Sequence, residues 1–322
     1  MIELTIPGKL FVAGEYAVTR SNGKAICVAV ETGLKVRISE RQGHSRLRTN
    51  VPLADHDFLI NAFEIEAGGW AFALTALQKT LKASGRQGFP ELGIEIDSPL
   101  GYGEDKTGYG SSAAVVVAVV QAVNSFLGLG LDQKACFEIA GRAHREVQGS
   151  GSMGDVASIL TGGLMAYQSP DADFQNWKID SLLLPAWETY IVKTGKSVKT
   201  GDKLKIALPE GFFERSDQLV EELARAIQTA DFEAFKLALI ENQALLIDSL
   251  PEAYLTDKLS LALETLNKET DLVAKVSGSG FGENLILFSK NGRDLTKLAE
   301  KLAEQGIILE KIKIASKTNE GQ

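Results

Sequence analysis

The stretch best suited to chemistry is Thr107-Gly108-Tyr109-Gly110-Ser111-Ser112-Ala113-Ala114, followed by the uncharged run Val115–Val120. Two glycines, two serines and two alanines crowd the start of what reads as a buried helix. Small residues allow a ligand close to the backbone, and glycine reaches angles closed to other residues. A first helical turn also offers N–H groups without internal partners at the positive end of the dipole. These features together suit a phosphate, so the stretch is read as a nucleotide phosphate-binding loop. Ordinary capping by serine is the competing reading. Gly108-x-Gly110-x-x-Ala113 also spells a dinucleotide fingerprint, which needs a strand directly before it and an acidic residue ending the next strand. Here Gly101–Lys106 is loop-like and Asp132–Val147 has a helical pattern. The chain has no Gly-x4-Gly-Lys-Ser/Thr loop and no Gly-x-Ser-x-Gly elbow of a serine hydrolase.

Two further glycine-serine stretches stand beside predicted helix or strand ends. Gln148-Gly149-Ser150-Gly151-Ser152-Met153-Gly154 leads to a single carboxylate, Asp155, and Ser277-Gly278-Ser279-Gly280-Phe281-Gly282 follows Val273–Val276. Asp155 has the chemistry of a general base and equally that of an N-cap. Lys9, directly after Pro7-Gly8, is either a fixed cation or a solvated surface lysine.

The elements that must position these residues alternate between strand and helix. Ile2–Ile6 reads as a strand stopping at Pro7-Gly8, and Lys9–Tyr16 as an apolar segment. Ala25–Val30 and Leu34–Ser39 are two strands after a turn at Ser21-Asn22-Gly23. Phe58–Ala83 is helix-compatible, weakened at Gly68-Gly69. Leu92–Ser98 is a strand, Thr161–Tyr167 returns to one, and Ser169–Asp180 is a linker or surface excursion. Then come a strand at Glu188–Lys193, a polar loop at Thr194–Thr200, helices over Glu210–Asn267, a strand at Asn284–Phe288, a helix at Leu295–Glu304 and a strand at Ile307–Ile314.

The 322 residues suggest two domains, and 44% apolar with 24% charged residues is the composition of a soluble globular protein. A net charge of −8 argues against a general nucleic-acid or anionic-membrane surface, so an anionic substrate needs a local basic cluster. Cys27 and Cys136 lie in apolar surroundings and read as buried free thiols. The three histidines show no metal-binding spacing. Met1-Ile2-Glu3-Leu4 lacks the basic region of a secretion signal and no apolar run reaches membrane-spanning length, so a cytoplasmic protein is expected.

Taken together, Pro7-Gly8-Lys9-Leu10 with Ala13-Gly14-Glu15-Tyr16-Ala17-Val18, Gly108–Ala114, Ser152–Ala157 and Lys275–Gly282 make the chain resemble the GHMP small-molecule kinases over essentially its whole length. The resemblance implies an α+β, two-domain fold: an N-terminal nucleotide-binding α/β domain over 1–185 and a C-terminal ferredoxin-like α+β domain over 186–322, with the active site between them. It implies ATP and Mg²⁺ as cofactors, Lys9 and Asp155 as catalytic residues, and Gly108, Gly110, Ser111, Ser112 and Ala113 as nucleotide ligands, with Ser112 on the metal. Substrate contacts would come from His144, Arg145, Ser150, Ser152, Lys196, Ser197, Lys199, Thr200, Gly278, Ser279 and Gly280.

Within the family, Ala143-His144 and Thr194-Gly195-Lys196-Ser197 resemble the members that phosphorylate 5-phosphomevalonate to 5-diphosphomevalonate. The alternatives are another acceptor such as mevalonate, or a non-catalytic nucleotide-binding relative. The partner implied is a phosphorylated small molecule, with the protein a monomer or homodimer. With a phosphomonoester acceptor the nucleophilic oxygen is already largely ionised, so Asp155 is expected to orient Lys9 or join the metal shell rather than act as a base. Three departures from the family pattern stand out: Tyr109 where an aliphatic residue is usual, Phe281 where a glycine is usual, and His144 eleven residues before Asp155. Family members acting on mevalonate carry a metal-binding glutamate at that last position.

Overall fold

Two long strands occupy the first forty residues where the apolar patterning suggests three shorter ones. Strand β1 (Ile2–Ala13) runs straight through Pro7-Gly8, and β2 (Lys24–Glu40) joins the two predicted strands into one. Proline is tolerated because, among the described residues, β1 pairs with β2 alone, so its missing N–H breaks no ladder on the other side. Gly8 is required by space, since a Cβ there would lie 2.4 Å from the Thr32 carbonyl.

The computed structural model describes residues 1–65, 68–103, 107–195, 206–282, 284–290 and 292–316. The chain forms two compact units, the first made of Met1–Lys9, Ala29–Gly162 and Ala315–Gln322, the second of Leu10–Val28 and Gly163–Ile314.

In the first unit, β2 pairs antiparallel with β5 (Leu92–Asp97), which pairs parallel with β3 (Ser45–Thr49), itself antiparallel to β4 (His56–Phe58). Four helices complete it: α1 (Ala71–Ala83), α2 (Ser111–Leu127), α3 (Gln133–Gln148) and α4 (Gly154–Thr161). The helix expected over Phe58–Ala83 forms only from Ala71. Phe58 instead ends β4, and Gly68 adopts φ 149, outside any helix. Helix α2 buries Ala113, Ala114, Val116, Val117, Val119 and Val120 completely. β-Branched valines are modest helix formers, but burying each is worth about 1.5–3 kcal/mol, so tertiary packing decides. Gly128 ends α2 in the left-handed conformation, its N–H returning to Asn124 and Ser125.

In the second unit, β6 (Leu164–Gln168) pairs with β7 (Lys178–Leu182) and with Lys24–Val28 of β2. The segment read as a linker therefore ends in a strand. It is folded by Asp171, whose carboxylate accepts from the N–H groups of Asp173 and Gln175 and from Asn176 Nδ2. A second sheet contains β8 (Trp187–Lys193), β9 (Leu272–Ser277), β10 (Asn284–Lys290) and β11 (Ile308–Lys311) in the order β11-β8-β10-β9, antiparallel throughout. Helices α5 (Phe212–Gln228), α6 (Phe232–Ser249) and α7 (Asp257–Asn267) lie between β8 and β9, and α8 (Thr296–Ala303) between β10 and β11. Interleaving the strands in this way gives the ferredoxin-like arrangement of two split strand–helix–strand units. Among the described residues no helix is long and apolar enough to cross a membrane.

Candidate active site

Lys9 and the Gly108–Ala114 segment are built as one object in the first unit. The Lys9 N–H donates to the Tyr109 carbonyl at 3.0 Å, and the side chain lies across Gly110. Gly110 holds φ 79, so glycine is favoured there by conformation, and a Cβ would come within 2.8 Å of Lys9 Cε and push that side chain aside. Gly110 is the residue capping α2, while Ser111 and Ser112 are its first helical residues. The serines are therefore not the cap. The cap position has no side chain, and no acidic residue occupies the first turn to neutralise its dipole. Ala113 is fully buried behind them.

A cavity of about 470 Å³ opens beside this helix start. Its walls are largely apolar, from Val51, Leu53, Trp70, Phe72 and Tyr102, and Ser111 and Ser112 stand at its edge. An apolar slot next to exposed helical N–H groups can hold a planar ring joined to phosphates.

Asp155 sits in the first turn of α4, where the dipole favours a carboxylate. Its Oδ1 accepts from the Val156 N–H at 2.9 Å, and Oδ2 lies 3.9 Å from His144 Nε2. Met153 caps this helix in the left-handed conformation, φ 64, and the Gly154 N–H donates to Ser152 Oγ at 3.3 Å. His144 projects from α3 and is 1% exposed, its ring 5.3 Å from that of Phe72. Neither of its ring nitrogens has a hydrogen-bond partner among the described residues. The glutamate position of the mevalonate-acting members thus holds an imidazole directed at Asp155. Arg145, the next residue, is exposed: one step along a helix turns a side chain by about 100°. Ser150 and Ser152 are half-buried.

Gly278, Ser279 and Gly280 belong to the second unit, where the Gly278 N–H donates to Glu15 Oε1 at 3.3 Å and Tyr16 Oη donates to the Ser279 carbonyl at 2.6 Å. Phe281, standing in place of the family's glycine, has φ 60 and so keeps the conformation that glycine would adopt. Lys196, Ser197, Lys199 and Thr200 lie outside the described residues. Glu15, Lys275 and Tyr254 were not singled out by sequence. The available signal was Lys275 itself, a lone charge inside the apolar strand Leu272–Ser277, which burial forces to find a partner. Among the described residues no group of three or more His, Cys, Asp or Glu could hold a metal.

Residues 71–163 match the family model for the GHMP kinases N terminal domain, and residues 220–308 that for the GHMP kinases C terminal domain. The chain is 28% identical to the phosphomevalonate kinase of Streptomyces sp. (strain CL190), over 94% of each chain. It is 26% identical to a mevalonate kinase of Saccharolobus solfataricus, over 89% of each. Its fold is similar to that of the Streptococcus pneumoniae phosphomevalonate kinase in complex with phosphomevalonate and AMPPNP, with TM-score 0.84, 22% identity, and 97% and 100% of the two chains covered. With the two sheets and both family domains in place, the chain belongs to the GHMP kinases and has their two-domain fold.

Proposed function

We propose that the protein transfers the γ-phosphoryl group of ATP to the phosphate of 5-phosphomevalonate, giving 5-diphosphomevalonate in the mevalonate pathway of isoprenoid biosynthesis. The observation that favours this acceptor is the buried imidazole of His144 facing Asp155. A second carboxylate there would repel an incoming phosphomonoester, whereas an imidazole adds no negative charge. The similarity to phosphomevalonate kinases points the same way, and the similarity to mevalonate kinases keeps the alcohol mevalonate as the second reading.

In this reading the cavity beside α2 takes the nucleoside, and the N–H groups at Gly110–Ala113 take the β- and γ-phosphates. Lys9, pinned across Gly110, places a positive charge where charge develops on the transferred group, which is the main protein contribution to phosphoryl transfer. Ser112 offers a hard hydroxyl oxygen suited to Mg²⁺, and the ion would be retained largely by the nucleotide's own phosphates. When bound it would neutralise charge shared by the β and γ groups. The acceptor phosphate needs no base, because its second pKa is about 6. Asp155 then orients Lys9 or joins the metal shell. Ser150, Ser152 and the loop Gly278-Ser279-Gly280 are the acceptor's contacts in this reading, as are Lys196, Ser197, Lys199 and Thr200.

Phosphorus NMR of the protein with Mg-ATP and 5-phosphomevalonate tests the proposal. The expected spectrum gains two coupled diphosphate signals from the product together with those of ADP. Loss of the ATP γ signal to inorganic phosphate alone would count against it.

A further inference from the structure

In the second unit, Lys275 stands in β9 with all six residues of the strand buried and its own side chain fully so. Its Nζ donates to both carboxylate oxygens of Glu15 at 2.8 Å and to the Val276 carbonyl at 2.8 Å. Glu15 is 4% exposed and accepts in addition from the Gly278 N–H. The glycine loop after β9 is tied down residue by residue around this pair. Ser277 Oγ donates to the Phe11 carbonyl at 2.8 Å, Tyr16 holds Ser279, and the Phe281 N–H donates to the Tyr254 carbonyl at 2.9 Å. Gly280 lies flat on the Tyr254 ring, where a Cβ would come within 2.3 Å. Gln243 completes the support by accepting from the Val276 N–H at 2.7 Å and donating to Tyr254 Oη at 3.3 Å.

Two physical arguments give this arrangement a purpose beyond stability. A buried ion pair is seldom more stable than a well-packed apolar pair of the same size, so it is weak as a stabilising device but strong as a fixer of one geometry. The loop it fixes also turns through left-handed positions at Gly278, Gly280, Phe281 and Gly282, with the Gly278 and Phe281 N–H groups turned inward to Glu15 and Tyr254. A bare carboxylate behind such a loop would repel an anion. Lys275 cancels that charge in place.

We propose that Glu15 and Lys275 are positioning residues for the anionic acceptor: a neutral buried pair that sets the shape of the Ser277–Gly282 loop and leaves no bare negative charge behind it to repel a phosphomonoester. This rests on the acceptor reading given above, and its test contains one arm that does not.

Three variants separate positioning from simple stability. Lys275→Met leaves the Glu15 charge uncancelled. Glu15→Leu/Lys275→Met replaces the pair by apolar side chains and removes the acceptor for the Gly278 amide. Glu15→Gln/Lys275→Met restores that acceptor without charge. In folded protein, confirmed by circular dichroism, Lys275→Met and the Leu/Met variant should raise the KM for 5-phosphomevalonate tenfold or more, with the KM for ATP within about twofold. The Gln/Met variant should recover most of the loss. Hydrogen exchange, read without any turnover, should show the amides of Gly278 and Phe281 exchanging at least tenfold faster in the Leu/Met variant than in the unmodified protein. If no acceptor is turned over by the unmodified protein, the acceptor reading fails and exchange alone decides the positioning claim. A folded Leu/Met variant with unchanged loop exchange and unchanged acceptor KM would overturn it.

Discussion

The loop Ser277–Gly282 and the turn leading to Asp155 are both glycine-serine segments next to a buried titratable side chain, Lys275 and His144 respectively, yet their polar atoms are treated in opposite ways. Lys275 has three oxygen acceptors at 2.8 Å, and the backbone around it is bonded to Glu15, Tyr16, Tyr254 and Gln243. Among the described residues His144 has no hydrogen bond on either ring nitrogen, and Ser158 Oγ, one turn beyond Asp155, is buried without a partner as well. Leaving such a group unsatisfied costs about 1–3 kcal/mol, so the first unit gives up stability around Asp155 that the second unit keeps around Lys275. A closed network shapes a loop. An open one leaves polar atoms for a ligand.

The contrast can be broken at each side. The largest effect is expected at Lys9: Lys9→Met should lower kcat by about a thousandfold, as loss of a preorganised transition-state charge contact does, with the protein still folded. Steady-state kinetics check it, and a loss under tenfold would remove Lys9 from the chemistry. Next comes the closed network. Lys275→Met leaves a buried carboxylate unpaired and should cost about 3–5 kcal/mol in urea unfolding. Asp155→Asn should lower kcat with 5-phosphomevalonate by less than about a hundredfold, since a true general base is worth roughly a hundred- to ten-thousandfold. A larger loss would give Asp155 the role of a base. The smallest stability change belongs to the open site. His144→Phe removes an unsatisfied polar group and should leave unfolding stability within about 1 kcal/mol of the unmodified protein, or above it. A loss of 3 kcal/mol or more in this variant would show that the imidazole is bonded in solution and that the two sites are alike.

Much of this was legible in the residues themselves. Helix α2 announces itself by its uncharged valine run, and the end of α3 by Gly149, because burial and left-handed caps leave local signatures. The placement of Lys9 on Gly110 was not legible, since nothing in Pro7-Gly8-Lys9 says which backbone it will meet. Least legible was the pairing of Glu15 with Lys275, 260 residues apart, because an ion pair between the turn after β1 and the strand β9 is fixed by topology rather than by any local pattern. The failure at Phe58–Trp70 has a different cause. Helical spacing of apolar residues is present there, but Phe58 gains more by pairing in β4, and Gly68 takes a conformation no helix contains.

The most direct measurement is ADP release with Mg-ATP across 5-phosphomevalonate, mevalonate, homoserine and simple sugars at equal concentration. Turnover with 5-phosphomevalonate, with mevalonate at least a hundredfold slower in kcat/KM, is the predicted result. Faster turnover with mevalonate would contradict the proposed acceptor, make Asp155 a base, and leave the His144 imidazole to be explained by something other than the charge of the substrate.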